Sequence, residues 1–377
     1  MGKYFNVTGK CYPEQHYMVD ISERLKQIKA MVDQGDYFCI NRGRQYGKTT
    51  TLSLLKKVLE EQYTVFSISF EGMGESSFET DEVLAGSFLY LLNDSLNYGE
   101  VEHVSEPMKR LIEENTTDGI RRMLFPQLSN LISKICAVSE RPVVLFVDEV
   151  DQAGNYKAFI DFLGLLRNKY LNRMERPTFQ SVILAGVYDV KNLKLKIRPE
   201  DEKQYNSPWN IAAEFNVSMD FTQADIEGML ASYEGDYQTG MDIPVMAKLL
   251  YEYTSGYPFL VSRLCKIIDE KIAGTEEYPD KKAAWCREGF LEAVKELLAE
   301  SNTLFDDMRK KISDHPSMRK MLYEILYEGR EFPYNADDSV LDIAKMFGYI
   351  KNCDGKVIVA NRIFETRLYN LFVSSMW

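Results

Sequence analysis

The sequence predicts an α/β protein with a doubly wound parallel sheet, followed by a helical region and a small C-terminal unit. Strand, loop and helix patterns alternate repeatedly through the first 220 residues, which is typical of such a sheet. Two continuous apolar runs, at 142–147 and within 180–189, have the character of strands buried on both faces. After about residue 220 the strand patterns stop and helical periodicity takes over.

The elements of the predicted sheet region follow one another in a regular order. The first helix opens with an Asp/Ser cap, and the strand after it leads into a glycine-containing loop. The predicted elements are a helix at 20–34, a strand at 37–41, a loop at 42–50, a helix at 51–62, a strand at 64–70, helical segments between about 80 and 138 with a break near Pro107, a strand at 142–147, a helix at about 156–171 and a strand at 180–189. Each predicted strand therefore follows a helical segment.

The C-terminal part of the chain is predicted to be mainly helical. Residues 221–300 contain four helical segments, which indicates a small bundle. Residues 301–377 contain two further helices and then two short strands around Asp354 and Gly355, a strong hairpin signal. The order helix, helix, hairpin predicts a winged-helix-like unit.

Composition and charge exclude several classes of function. The formal net charge of −12 disfavours binding to nucleic acid or to an anionic membrane. The six cysteines form no CxxC pair, which argues against a zinc site and a dense disulfide framework, and the three histidines are widely spaced. No apolar run reaches the roughly 20 residues of a membrane span, and no signal peptide is recognised, so we expect a cytoplasmic protein.

The loop after the first strand contains Gly47, Lys48 and Thr49, which match the end of the phosphate-loop pattern GxxxxGK[ST]. Its backbone N–H groups would cradle phosphate oxygens, Lys48 would neutralise the β- and γ-phosphates as a catalytic residue, and the Thr49 hydroxyl would ligate Mg²⁺. The first glycine of the pattern is replaced by Arg42, and Gly43 lies one place later. The alternative interpretation is a helix start with an incidental lysine. The residues predicted to bind ATP or ADP on this loop are Gly43, Arg44, Gln45, Tyr46, Gly47, Lys48, Thr49 and Thr50.

The apolar strand at 142–147 ends in Asp148 and Glu149. An aspartate in this position holds Mg²⁺ in P-loop enzymes, and a following glutamate often polarises the attacking water. We therefore predict that Asp148 is a metal ligand and that Glu149 is the catalytic base. An acidic end is common among strands, so the prediction depends on the two motifs occurring together, each at the carboxyl end of a strand.

Three further segments contain weaker candidates. Tyr188 or Asp189, at the end of the next strand, would contact the γ-phosphate or the water, with a polar strand end as an equal alternative. Arg198 is a candidate arginine finger, although a solvated basic loop fits it better. In the helical region, Pro258 and Arg263 are predicted to face the nucleotide, and a surface ion pair is the alternative for Arg263.

With these motifs in this order, the chain resembles the AAA-like P-loop ATPases of bacteria and archaea, close to the archaeal-type ATPase and STAND branch. The segments that carry the resemblance are NRGRQYGKTTTL, LFVDEVDQ and SGYPFLV, and it covers most of residues 5–275. It implies a P-loop NTPase core at 1–220, a helical lid at 221–300 and a winged-helix-like domain at 301–377. It also implies that Tyr12, Pro13 and Val19 help to hold the adenine, and that nucleotide drives a change between lid and core.

Three functions follow as hypotheses. The first is an ATPase that acts as a nucleotide-dependent conformational switch and hydrolyses ATP with Mg²⁺. The second is a nucleotide-binding regulatory or DNA-associated module with little or no turnover. The third is an interaction protein that has lost nucleotide binding, for which Arg42 is the only support. The expected partners are ATP and a protein partner or a second copy of the chain. Nucleic acid has no support from charge, and no membrane partner is expected.

Overall fold

The computed structural model describes residues 2–116, 122–187 and 209–374, and it confirms the predicted α/β fold. The chain divides into two compact units. The sheet unit comprises Ser22–Asn41 and Thr51–Val217, and the terminal unit comprises Met1–Ile21, Arg42–Thr50 and Ser218–Trp377. The phosphate-loop segment therefore groups with the two ends of the chain. The predicted division into domains at 1–220, 221–300 and 301–377 stays a prediction.

The sheet unit is built on four parallel strands in the order β1-β4-β3-β2. Its elements are α1 (Ser22–Asp33), β1 (Tyr37–Asn41), α2 (Lys48–Leu59, which begins in the terminal unit), β2 (Thr64–Ser69), α3 (Asp81–Asn97), α4 (Glu106–Glu113), α5 (Phe125–Ala137), β3 (Val143–Asp148), α6 (Lys157–Leu171) and β4 (Ser181–Gly186), with short 3₁₀ turns at Glu75–Phe78 and Val150–Ala153. Pro107, the predicted helix break, lies in the first turn of α4, where a proline removes no helical hydrogen bond.

The central strands are apolar because they are buried. Every residue of β3 and β4 is buried, as the two continuous apolar runs predict. Helices α3 and α6 meet through Phe88 and Phe162, whose ring centroids lie 5.1 Å apart. Burial of each such side chain contributes roughly 1.5–3 kcal/mol. The β1 and β3 strands are parallel members of one sheet, so Asn41 and Asp148 end their strands at the same edge.

The terminal unit is mainly helical. Its elements are α7 (Gln223–Tyr237), α8 (Ile243–Thr254), α9 (Pro258–Ile267) with a π turn at Ile268–Ile272, α10 (Lys281–Ala284), α11 (Arg287–Ala299), α12 (Thr303–Asp314), α13 (Pro316–Tyr327), α14 (Ser339–Met346), β5 (Ile350–Cys353), β6 (Lys356–Val359) and α15 (Arg362–Ser374). Helices α12 and α15 lie outside the predicted elements. The part Thr303–Ser374 is named here the C-terminal module.

The C-terminal module contains the predicted hairpin. Strands β5 and β6 pair antiparallel, from Ile350 with Val359 to Cys353 with Lys356. The turn residues Asp354 and Gly355 have φ angles of 51° and 81°, the left-handed pair that a two-residue hairpin turn requires. The hairpin prediction is confirmed, and the winged-helix assignment stays a prediction.

The first residues of the chain pack on the helices of the terminal unit. Phe5, Tyr17, Tyr233 and Trp285 form one buried aromatic cluster, with ring centroids 4.8 to 5.9 Å apart in the contacting pairs. The Tyr17 hydroxyl donates a hydrogen bond of 2.8 Å to Asp236. This cluster anchors the N-terminal segment on helix α7. In the three described stretches, no helix combines the length and the apolar character needed to cross a lipid bilayer.

Candidate functional site

The phosphate-loop segment has the backbone shape of an anion site. Strand β1 ends at Asn41 and helix α2 begins at Lys48. Gln45 and Gly47 have φ angles of 58° and 74°, and the residue between them is outside the left-handed region. Alternation of this kind turns successive N–H groups toward one side and forms a concave nest for anions. The N–H groups at the start of α2 lie at the positive end of the helix dipole.

Lys48 is folded back onto this loop. Its side chain is buried, and its ammonium group donates hydrogen bonds to the carbonyl oxygens of Arg42 at 2.9 Å and Gly43 at 3.0 Å. A buried ammonium is costly unless its donors are satisfied, and the loop carbonyls satisfy them. The lysine therefore lies against the turn that the sequence pattern assigns to the phosphates.

The loop requires glycine at position 43. A Cβ atom on Gly43 would lie 2.9 Å from the carbonyl oxygen of Phe347, closer than such contacts allow. Position 42, by contrast, accommodates Arg42, whose guanidinium is held near Tyr46 and Asp220 while burial lowers its pKa. Gly43 lies one place later than the first glycine of the phosphate-loop pattern, and the nearby carbonyl of Phe347 gives a steric reason for a glycine there.

Side chains of the loop bind other parts of the terminal unit. Arg44 Nε lies 3.3 Å from the Asp307 carboxylate, and Gln45 Nε2 donates to the Thr303 hydroxyl at 3.1 Å. The Thr50 hydroxyl accepts a hydrogen bond of 3.1 Å from the backbone N–H of Cys11 in the N-terminal segment. The side chains of Arg44 and Gln45 therefore contact helix α12 of the C-terminal module.

Tyr257, in the segment predicted to form the lid, contacts the loop, and the sequence motifs predicted no role for it. It precedes α9, of which Pro258 is the first residue. The Tyr257 hydroxyl donates to the Arg44 carbonyl oxygen at 2.5 Å, and the Tyr257 and Tyr46 ring centroids lie 4.3 Å apart. The only sequence signal was the position of this tyrosine inside SGYPFLV, between a glycine and a proline.

Arg263, predicted to face the nucleotide, is bound to a carboxylate. Its guanidinium makes a two-pronged ion pair with Glu300, with Nε 3.0 Å from Oε2, and Lys271 pairs with the same carboxylate at 2.8 Å. Burial raises the pKa of the Glu300 carboxyl, but the hydrogen bonds from Arg263 and Lys271 outweigh it and the net pKa is lowered. The surface ion pair was the alternative for Arg263, and its role toward a nucleotide stays a prediction.

In the sheet unit, Asp148 and Glu149 lie at the end of β3, as predicted. Asp148 is buried, and its Oδ1 atom accepts a hydrogen bond of 2.9 Å from the backbone N–H of Glu149. Glu149 has a φ angle of 53°, in the left-handed region. A non-glycine residue there carries strain of about 1–3 kcal/mol, and such strain clusters at functional sites. The turn directs the chain away from the strand immediately after the two acidic residues.

Asp151 connects this turn to strand β4, and the sequence analysis gave it no role. Its Oδ2 atom accepts a hydrogen bond of 2.5 Å from the backbone N–H of Val187, just beyond β4. A Cβ atom on Gly186 would lie 3.1 Å from both Asp151 carboxylate oxygens and 2.9 Å from Val150 Cγ2. The glycine that ends β4 therefore permits the close approach of Asp151.

The structure thus places the predicted residues in two groups. The loop residues belong to the terminal unit, as do Pro258 and Arg263 of the predicted lid, whereas Asp148 and Glu149 belong to the sheet unit. Tyr188, Asp189 and Arg198 lie outside the described residues. The adenine candidates belong to the terminal unit; Val19 is buried there, and Tyr12 is exposed.

Comparison with known proteins identifies the family. Residues 11–319, most of the chain, match the family model described as an AAA-like domain. The chain belongs to the AAA-like domain family. The resemblance found in the sequence motifs is therefore confirmed. No curated protein matches this AAA-like sequence.

Several solved structures are similar to this AAA-like protein. A Walker-type ATPase of Pyrococcus abyssi has a TM-score of 0.59 and 15% identity, with 97% of this chain and 99% of that chain covered. The Aeropyrum pernix ORC2 protein in its ADPNP–ADP complexes has a TM-score of 0.47 and 11% identity, covering 98% of this chain and 96% of its own. The ORC1 protein of the same organism, in complex with DNA, has a TM-score of 0.40 and 12% identity, covering 96% and 95%. The first similarity supports the fold of P-loop ATPases.

Proposed function

We propose that this AAA-like protein binds ATP and ADP on the loop Arg42–Thr50, hydrolyses ATP with Mg²⁺, and acts as a nucleotide-dependent conformational switch. The observation that carries the proposal is the position of Lys48. Its buried ammonium group lies against the carbonyl oxygens of Arg42 and Gly43, in a loop whose N–H groups form an anion nest. A cation held against such a nest fits the β- and γ-phosphates of a nucleotide.

The residues present also fit Mg²⁺. Across the part of the chain that the structure describes, no three His, Cys, Asp or Glu side chains group as a protein-made metal cage. Mg²⁺ in nucleotide sites keeps several waters and takes one or two carboxylates together with phosphate oxygens, so it needs no such cage. Thr49 and Asp148 would hold it, and it would neutralise charge that develops on the phosphates.

Glu149 is the base in this proposal. It follows the metal-binding candidate Asp148 directly, and its left-handed backbone turns it out of the strand. A carboxylate of this kind orients the attacking water and accepts its proton, which contributes typically 10²- to 10⁴-fold to a rate. Asp151, bound to the N–H of Val187, would keep the turn in place during this step.

The switch is supported by the surroundings of the loop. The lid residue Tyr257 contacts Arg44 and Tyr46, and the C-terminal module contacts Gly43 and Gln45. A loop that rearranges on binding phosphates would act on both elements, because both touch its backbone or side chains. The output is proposed to be a protein contact or self-association, because the formal net charge of −12 gives no support for nucleic acid.

A second candidate is a nucleotide-binding regulatory module with little or no turnover. The observation that favours it is the extent to which the loop is engaged by its own chain, through Lys48, Arg44 and Gln45. Such a protein would retain its nucleotide and change state on exchange rather than on hydrolysis.

Calorimetry with ADP and with a slowly hydrolysed ATP analogue, in the presence of Mg²⁺, tests the shared claim of nucleotide binding. We expect one site per chain, and no heat of binding for either nucleotide would contradict both candidates. Phosphate release from ATP then separates them. Light scattering with each nucleotide tests the switch, because an identical size and shape in all states would contradict it.

A further inference from the structure

The side chain of Tyr257, just before helix α9, lies between the phosphate loop and the C-terminal module within the terminal unit. It is 2% exposed, so it is committed to interior contacts. Its hydroxyl donates to the Arg44 carbonyl oxygen at 2.5 Å, and its ring lies 4.3 Å from that of Tyr46, measured between centroids. A Cβ atom on Gly43 would lie 3.4 Å from the same hydroxyl. One buried side chain therefore contacts two residues of the phosphate loop, Arg44 and Tyr46, and lies close to a third, Gly43.

The Tyr257 ring also contacts the C-terminal module. Its centroid lies 5.3 Å from that of Phe364, on helix α15. Gly348, after helix α14, fits closely against both tyrosines: an added Cβ would lie 3.2 Å from Tyr46 Cε2 and 3.4 Å from Tyr257 Cε2. The tyrosine pair thus fills the space between the phosphate loop and the C-terminal module.

We propose that Tyr257 is a positioning residue, which fixes the phosphate loop through the Arg44 carbonyl and couples its conformation to the C-terminal module. The inference rests on the proposed function for its link to nucleotides. The Arg44 carbonyl belongs to the loop backbone, so its hydrogen bond restrains the direction of the N–H groups that face an anion. Loss of the hydroxyl leaves the ring packing intact and removes this restraint alone.

The chain offers matched controls for both sides of the contact. Tyr233 is also a buried tyrosine of the terminal unit, but its hydroxyl binds Asp269 and the indole N–H of Trp285. Gly355 has a φ angle of 81°, similar to the 76° of Gly348, but an added Cβ there meets nothing within 4 Å. Tyr233→Phe and Gly355→Ala therefore make the same substitutions as Tyr257→Phe and Gly348→Ala, but at positions away from the loop.

The first experiment measures amide hydrogen exchange in the nucleotide-free full chain. We expect Tyr257→Phe and Gly348→Ala to speed exchange in the loop Arg42–Thr50 by about 2- to 10-fold, the range that one lost hydrogen bond produces. Tyr233→Phe and Gly355→Ala should leave loop exchange within the error of wild type, whatever they do to the melting temperature. Unchanged loop exchange in Tyr257→Phe would overturn the proposal.

The second experiment measures the dissociation constants of ADP and a slowly hydrolysed ATP analogue for the same four variants. We expect Tyr257→Phe and Gly348→Ala to weaken binding by about 2- to 10-fold, and the two controls to bind like wild type. Faster loop exchange with unchanged affinity would overturn the link to nucleotides. Wild-type protein that binds no nucleotide would overturn the proposed function, while the exchange measurement would still decide whether Tyr257 positions the loop.

Discussion

The ammonium group of Lys48 donates a hydrogen bond of 3.0 Å to the carbonyl oxygen of Gly43. The two residues stand at opposite ends of the phosphate loop, one beside strand β1 and the other at the first position of helix α2. Their contact closes the loop with a buried positive charge.

Lys48→Ala is expected to weaken ADP and ATP binding by about 10- to 100-fold, because hydrogen bonds to charged groups contribute roughly 1.5–3 kcal/mol. Titration calorimetry with Mg²⁺ present measures the effect. Lys57→Ala is the control, since Lys57 is an exposed lysine of the same helix. Equal affinities for the Lys48 variant and wild type would show that the phosphates bind elsewhere.

Glu149→Gln should keep nucleotide affinity within a few-fold of wild type and lower the rate of phosphate release by about 10²- to 10⁴-fold, as expected when a base is removed. The amide keeps the size of the side chain. The exposed Glu140, changed to Gln, serves as the control for a general effect of charge. Turnover at the wild-type rate in Glu149→Gln would remove the glutamate from the mechanism.

Gly256→Ala is expected to destabilise the protein far more than Gly240→Ala. Both glycines have a φ angle of 76°, so both alanines carry left-handed strain of about 1–2 kcal/mol. At Gly256, however, the new Cβ would lie 1.9 Å from the carbonyl oxygen of Phe221, whereas at Gly240 it meets nothing within 4 Å. Thermal unfolding measures the difference, and similar melting temperatures for the two variants would contradict the close approach of Gly256 to the backbone of Phe221.

Acid is expected to weaken the terminal unit through Glu300. The pKa of this carboxyl is lowered from 4.5 in the folded protein, because hydrogen bonds from Arg263 and Lys271 outweigh burial. A lowered folded pKa means that the contribution to stability is present above the unfolded pKa and is lost as pH falls through the folded one.

The measurement is the melting temperature of wild type and Glu300→Gln as pH is lowered from about 6 through the range where carboxyls titrate. We expect the difference between the two proteins to shrink as the pH falls, because the wild-type carboxyl becomes neutral. Glu296→Gln is a control, since Glu296 lies in the last part of helix α11, which Glu300 follows directly, and its side chain is more exposed. A difference that does not change with pH would exclude titration of Glu300 as the cause.

Much of the fold followed from local sequence. The strands at 37–41 and 64–69 and the hairpin turn at Asp354 and Gly355 were predicted within a residue or two. Helices α12 and α15 were missed, although apolar residues such as Leu304 and Phe364 are buried in them. Neighbouring segments have a stronger helical or hairpin pattern, so local hydrophobic periodicity alone did not distinguish α12 and α15 as separate helices.

The candidate site was predictable only in part. Lys48, Asp148 and Glu149 are predicted from the sequence because each belongs to a short motif that stays contiguous in the chain, and their roles stay predictions. Tyr257 was missed because its partner Arg44 is 213 residues away. Asp151 was missed for a similar reason, since its bond to Val187 spans 36 residues.

The sequence by itself determined the alternation of strands and helices, the position of the phosphate loop and the acidic end of β3. The strands and helices follow from hydrophobic periodicity, and the loop and the acidic strand end follow from short motifs. Both kinds of signal are carried by residues that are neighbours in the chain. Only the tertiary structure decided that Gly43 must be a glycine because of Phe347, and that Tyr257 and Gly348 close around Tyr46. Such contacts arise from the packing of distant segments, and no local pattern encodes which surfaces meet.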